Sequence, residues 1–165
     1  MTNKYRRFIG CCCLVLMSAA ISSAKEWRGI IPLHSTRADV LRILGKPTLD
    51  DHIYDVDEGR ANIMYARQRF EQGLPGDWGN WNVPPDTVIH ITIYLKKGIP
   101  LADLKIPDIE KYIWYEDDSG ATYYRLKKEG IEYQVQEGKV TGITYGPTEK
   151  DKGLLCKKNA PEIRY

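Results

Sequence analysis

The sequence predicts an α+β fold, with short helices packed on an antiparallel sheet. Three observations carry this expectation. The stretch "HSTRADVLRILGKP" (34–47) is punctuated as a helix. Six segments read as strands, the clearest being "TVIHITIYLK" from Thr87 to Lys96. No long helical crossover of the kind that parallel strands need lies between them. The order is a short helix, three strands, a poor helix and three strands. This is the outline of a degenerate αβββ duplication whose halves share pattern rather than residues.

An apolar lead-in, Trp27 with Ile30, Ile31 and Leu33, precedes the helix. Thr36 or Ser35 caps it, since a hydroxyl oxygen there accepts an amide of the first turn. Thr36 and Asp39 have capping-box spacing. Val40, Leu41, Ile43 and Leu44 form one apolar face, with Arg37 and Arg42 off it. Gly45 suits the left-handed position that ends a helix, and Pro47 forbids continuation. So short a helix is unstable alone and must pack on a sheet.

Residues 52–56 and 61–67 read as strands around the turn Asp57-Glu58-Gly59, with Ala61, Ile63 and Tyr65 on one face. In the strand 87–96, Ile89, Ile91, Ile93 and Leu95 face one way and Val88, His90, Thr92 and Tyr94 the other. Such alternation suits a half-buried antiparallel strand and puts His90 at the surface. Between them, "RFEQGLPGDWGNWNVPPD" is a long Gly/Pro-rich loop. After Pro100 the segment "LADLKIPDIEKYI" is mixed, and Pro107 limits any helix. Strands follow at 121–127, 130–136 and 139–145, the last two turning at Glu137-Gly138.

The 165-residue length suits one domain, here 25–147, with a polar C-terminal tail at 148–165. Residues 1–24 read as a secretory signal peptide. Lys4, Arg6 and Arg7 precede the uncharged apolar run Phe8–Ile21, and Ser22-Ser23-Ala24 offers small residues for cleavage. The run is short for a bilayer span, which takes about 20 residues, so no stable transmembrane span is expected after cleavage. The expected location is exported, periplasmic or secreted. The whole chain has 24 basic and 22 acidic residues; without the leader the balance is 21 to 22. That removes the general electrostatic case for nucleic acid as a partner. Cys11, Cys12 and Cys13 fall in the leader, which leaves Cys156 as the single cysteine of the mature chain, free or intermolecularly paired.

At Thr36-x-x-x-Val40-x-x-x-Leu44-Gly45-x-Pro47, followed by a strand holding Tyr54, the sequence resembles the small protein A family of outer-membrane assembly lipoproteins. Through the possible duplication it also resembles the β-lactamase inhibitor protein fold. The resemblance implies helices on an antiparallel sheet and a binding or assembly role rather than catalysis. The sequence departs from the assembly family in having His34-Ser35 before Thr36 and no lipid-bearing cysteine at the mature start. It is similar over most of the mature chain to uncharacterised exported bacterial proteins. The similarity lies at Trp27-x-Gly29-Ile30-x-Pro32-Leu33-x-Ser35-Thr36-Arg37, Trp81-Asn82-Val83-Pro84 and Tyr145-x-Pro147.

Few residues point to chemistry. His34, His52 and His90 lack metal-ligand spacing. Asp55-x-Asp57-x-Gly59 lacks the remaining ligands of a calcium loop and reads as a turn. No nucleophile elbow, phosphate loop or dinucleotide fingerprint is present, so no catalytic residue, metal or cofactor is assigned. The candidate binding surface is aromatic: Trp78, Asn80 and Trp81 in the long loop, and Trp114 and Tyr115 before the acidic turn Glu116-Asp117-Asp118. Exposed tryptophans favour sugars, lipid interfaces or protein hot spots. The expected function is an exported, non-enzymatic binding or assembly module of the cell envelope, with a protein or envelope component as partner. The alternatives are a small hydrolase-like enzyme in an unfamiliar fold and a purely structural envelope protein. Mass spectrometry of the exported protein tests the leader. The reading predicts loss of residues 1–24, and an intact Met1 would contradict it.

Overall fold

The strand expected at 87–96 is the spine of the molecule. In a computed structural model, which describes residues 26–67, 71–72 and 80–155, it runs as β5 (Val88–Pro100). Before it come α1 (Arg37–Leu44), β1 (Ile53–Val56), β2 (Gly59–Tyr65), β3 (Glu71–Gln72) and β4 (Asn80–Trp81). After it come β6 (Ile113–Glu116), β7 (Thr122–Leu126), β8 (Ile131–Gln136) and β9 (Lys139–Tyr145). Seven strands form one antiparallel sheet in the order β1-β2-β5-β9-β8-β7-β6, and β3 pairs with β4 separately. The expected leader, Trp78 and Cys156 lie outside the described residues.

Helix α1 forms as its punctuation predicts. Thr36 accepts from the Asp39 amide while the Asp39 carboxylate accepts from the Thr36 amide, closing a capping box. These bonds and Arg42 hold the Asp39 carboxyl down at about 2, led by the Thr36 amide. Gly45 ends the helix at φ 82°, a conformation that costs other residues a steric clash. Val40 is fully buried, and Ile43 and Leu44 pack beside it. Leu41, expected on the apolar face, is 42% exposed. The helix meets the sheet along a narrower stripe than the sequence suggested.

The ladder register separates two faces across the whole sheet. One carries the rows Ile63–Ile91–Tyr145–Ile131–Leu126 and Ala61–Ile93–Ile143–Tyr133–Tyr124–Ile113. Helix α1, Trp27 and Ile30 cover its first half. Leu101, Leu104 and Ile109, from two short 3-10 turns, cover its second half. These turns replace the poor helix expected after Pro100. The second half also has four strands rather than three, because β6 joins its edge.

Gly59 allows β2 to lie against β5, since any Cβ there would collide with the Tyr94 carbonyl oxygen. The hairpin between β8 and β9 turns at Glu137 and Gly138, both with positive φ, as a two-residue primed turn requires. The described part of the expected tail docks against the domain. A 3-10 turn at Glu149–Leu154 buries Asp151, and the Leu154 carbonyl accepts from the Asn82 amide.

A bulge corrects the reading of His90. Met64 pairs with His90 but Tyr65 pairs with Val88, so Ile89 is an extra residue in β5. Alternation breaks there, and Val88, Ile89 and His90 are all buried. His90 is only 5% exposed, not at the surface, and its Nδ1 has no protein partner. Burial pushes its pKa down to about 4. An unfolded chain binds that proton near pH 6.5 and the folded one does not until about pH 4, so stability is full above pH 6.5 and falls toward pH 4. Urea unfolding should show a loss of about 2 kcal/mol between pH 7 and pH 5 that is absent from His90→Leu. Equal slopes in the two proteins would contradict this.

Candidate functional site

The opposite sheet face is polar and aromatic. Its rows are Asn62–Thr92–Thr144–Glu132–Arg125 and Arg60–Tyr94–Gly142–Gln134–Tyr123–Tyr115. The Thr92 and Thr144 hydroxyls lie 3.1 Å apart. Gly142 makes room for the Gln134 amide, because a Cβ at 142 would stand 3.0 Å from its Oε1. The face therefore has no apolar stripe of the kind that binds a helix.

Toward its β6 edge lies a buried ion pair. Arg125 Nε and Nη2 each lie 2.7 Å from Glu132 Oε2, with side chains only 5% and 11% exposed. Such a pair gives little net stability against an apolar substitute, but losing one partner strands a buried charge, on the order of 3–5 kcal/mol. Trp114 lies over it, with the guanidinium carbon 3.6 Å from the ring centroid. A bulge makes this possible. Ile113 pairs with Tyr124 and Tyr115 with Tyr123, so Trp114 is the extra residue and turns to the same side as Tyr115.

The aromatic cluster continues through Tyr115 and Tyr123. The Trp114–Tyr115 and Tyr115–Tyr123 ring centroids are both 5.6 Å apart. The acidic turn fixes it. Asp117 accepts from the Ser119 hydroxyl, the Ser119 and Ala121 amides and the Tyr123 hydroxyl. Those bonds, led by the Ser119 hydroxyl, lower the Asp117 pKa. Burial raises that of Tyr123, with the Asp117 contact adding to it. Trp114, Tyr115 and Tyr94 remain 37%, 50% and 48% exposed. At the β1-β2-β5 end the face sinks into a shallow depression of about 390 Å³ flanked by Asp55, Arg60, Tyr94 and Lys96.

The long loop is used differently. Asn80 is exposed, but Trp81 is 4% exposed and packs with Leu33, Ala66, Val83 and Ile89. Trp81 also bridges to Leu155. Its place as a candidate surface residue is corrected: the indole is a core plug under the docked C-terminal turn. His34, which the helix punctuation left without a role, reaches that same turn. Its Nε2 lies 3.2 Å from Asp151 Oδ1, and Asp151 Oδ2 accepts from the Thr148 amide and hydroxyl.

A second cleft, also about 390 Å³, opens where β2 runs on past the start of β1. Arg37 spans it, 2.8 Å from Asp86 and 3.0 Å from Asp51, with its guanidinium 4.0 Å over the Tyr65 ring. His52 Nδ1 lies 2.9 Å from Asp51 Oδ1, and this bond, with the Arg37 charge, lowers the Asp51 pKa. Burial raises the Tyr65 phenol, reinforced by Tyr54, whose hydroxyl is 3.3 Å away. The described lining has acid–base groups but no Ser, Thr or Cys to serve as nucleophile. Among the described residues, no three His, Cys, Asp or Glu side chains converge on a common point, and no helix is long and apolar enough to cross a membrane.

Comparison with known proteins finds no matching family model, curated protein or solved structure. The aromatic pattern singled out Trp114 and Tyr115 but missed Tyr94, Tyr123, Gln134 and the ion pair. The signal for the pair was present. A four-residue turn at Lys127–Gly130 sets Arg125 opposite Glu132.

Proposed function

We propose that the protein is an exported, non-enzymatic binding module whose polar-aromatic sheet face recognises a protein or other component of the cell envelope. One observation carries this reading. Trp114, Tyr115 and Tyr94 stand exposed on one sheet face, the first two held by ring contacts and by the buried ion pair beneath Trp114, and Tyr94 at the rim of the depression. Aromatic anchors that are ordered before binding lose little conformational entropy on capture and commonly dominate interface energy. The polar rows supply hydrogen-bonding groups between them. The envelope location rests on the leader-like N-terminus, and the resemblance to assembly and inhibitor modules favours binding over catalysis.

The test is capture from an envelope extract with the purified protein as bait. Arg60→Ala/Tyr94→Ala changes the depression, and Leu41→Ala changes an exposed apolar residue on the helix side. We expect the double variant to recover at least about tenfold less partner, a loss of 1.4 kcal/mol or more. Leu41→Ala should behave as wild type. Equal recovery by all three proteins would refute the assignment of the face.

A further inference from the structure

We propose that β6 is the edge through which two copies of this chain join, antiparallel, about an axis between Trp114 and Tyr115. β6 ends the sheet order. Of the eight large apolar side chains that stand exposed among the described residues, four are consecutive: Tyr112, Ile113, Trp114 and Tyr115. An apolar strand at a sheet edge offers a row of backbone groups to a further strand. The opposite edge, β1, is less inviting, with Tyr54 buried and Asp55 outward.

The bulge fits β6 to a second copy of itself along its whole length. Ile113 and Glu116 pair with Tyr124 and Thr122 on the apolar side. Trp114 and Tyr115 both lie on the polar side. Residues directly opposite in an antiparallel pair must share a face. A regular four-residue strand, alternating at every step, fails that condition when paired with itself about its midpoint. The bulge makes the order of faces read alike in both directions. Trp114 of one copy then meets Tyr115 of the other, and Ile113 meets Glu116.

Charge points to the same arrangement. The segment has Lys111 at its start and Glu116, Asp117 and Asp118 at its end. Lys111 lies in the 3-10 turn before β6 and Asp118 in the turn after it, so antiparallel pairing about the midpoint sets the Lys111 end of each copy beside the Asp118 end of its partner; parallel pairing sets like ends together. On its own chain Lys111 Nζ lies 2.6 Å from an exposed Asp108, so the ammonium sits at the surface. The paired copies would carry their polar faces side by side, with both aromatic clusters at the seam. The pairing does not depend on what those faces bind.

Sedimentation velocity on the purified protein over a concentration series tests this. Wild type is expected to pass from monomer to dimer. Lys111→Glu and Asp118→Lys each create two like-charge contacts, and each should weaken self-association roughly tenfold. Together the two substitutions should restore it. Both positions are exposed, and the surface pair of Lys111 with Asp108 that Lys111→Glu removes is worth at most about 1 kcal/mol, so each variant should melt within a few degrees of wild type. A wild type that stays monomeric at every concentration would overturn the proposal, including the case where β6 takes an extended peptide from another protein. A dimer indifferent to both reversals, or not restored by the combination, would overturn it too.

Discussion

The ladder between β5 and β9 is the constraint on which the rest of the molecule depends. It joins a three-strand unit, β1-β2-β5, to a four-strand unit, β9-β8-β7-β6, and it locks their register. Side chains alternate along every strand, so one register decides which residues face the core across the whole sheet. Ile91 against Tyr145 and Ile93 against Ile143 put the apolar sets of both units on one side. Each fully buried aliphatic side chain on that side contributes about 1.5–3 kcal/mol. Polar residues from both units are thereby assembled on the other side, although no local sequence feature groups them.

That second side is more than a leftover surface. A hydrophilic sheet face needs no buried charge, yet this one holds Arg125 and Glu132 nearly out of solvent under an indole. The bulge that turns Trp114 onto Arg125 also breaks the alternation of β6, leaving Ile113 exposed on the other side. One extra residue thus both closes the ion pair and shapes the sheet edge. The bulge at Ile89 has the opposite effect. It turns the end of β5 into a strand buried on both sides, where Trp81 and the docked C-terminal turn cover it.

Elements whose signal is local were legible in the sequence. The capping box, Gly45, the Glu137-Gly138 turn and the alternation of β2 each depend on a few neighbouring residues, and each forms where expected. The failures are non-local. His90 looked like a surface residue because the bulge that buries it is set by pairing with Met64 and Tyr65. Trp81 looked like a binding residue because its Gly/Pro-rich flanks resemble an open loop, while the contacts that bury it come from Leu33, Ile89 and the 149–155 segment. β6 was missed because "IWYE" lacks alternation, and a bulged strand does not alternate. Of the candidate surface, Trp114 and Tyr115 lie on the polar face, Asn80 is exposed in the loop, and Trp81 is in the core. The face emerges only once six strands, β2 and β5 to β9, are in register.

We propose that face as the side of the molecule that meets a partner. The most direct measurement places a photo-crosslinking residue at position 94, on the polar face, or at position 41, exposed on the helix side, and irradiates cells producing each protein. The account predicts a discrete crosslinked product from 94 and little from 41. Equal products from both positions, or a product from 41 alone, would contradict it.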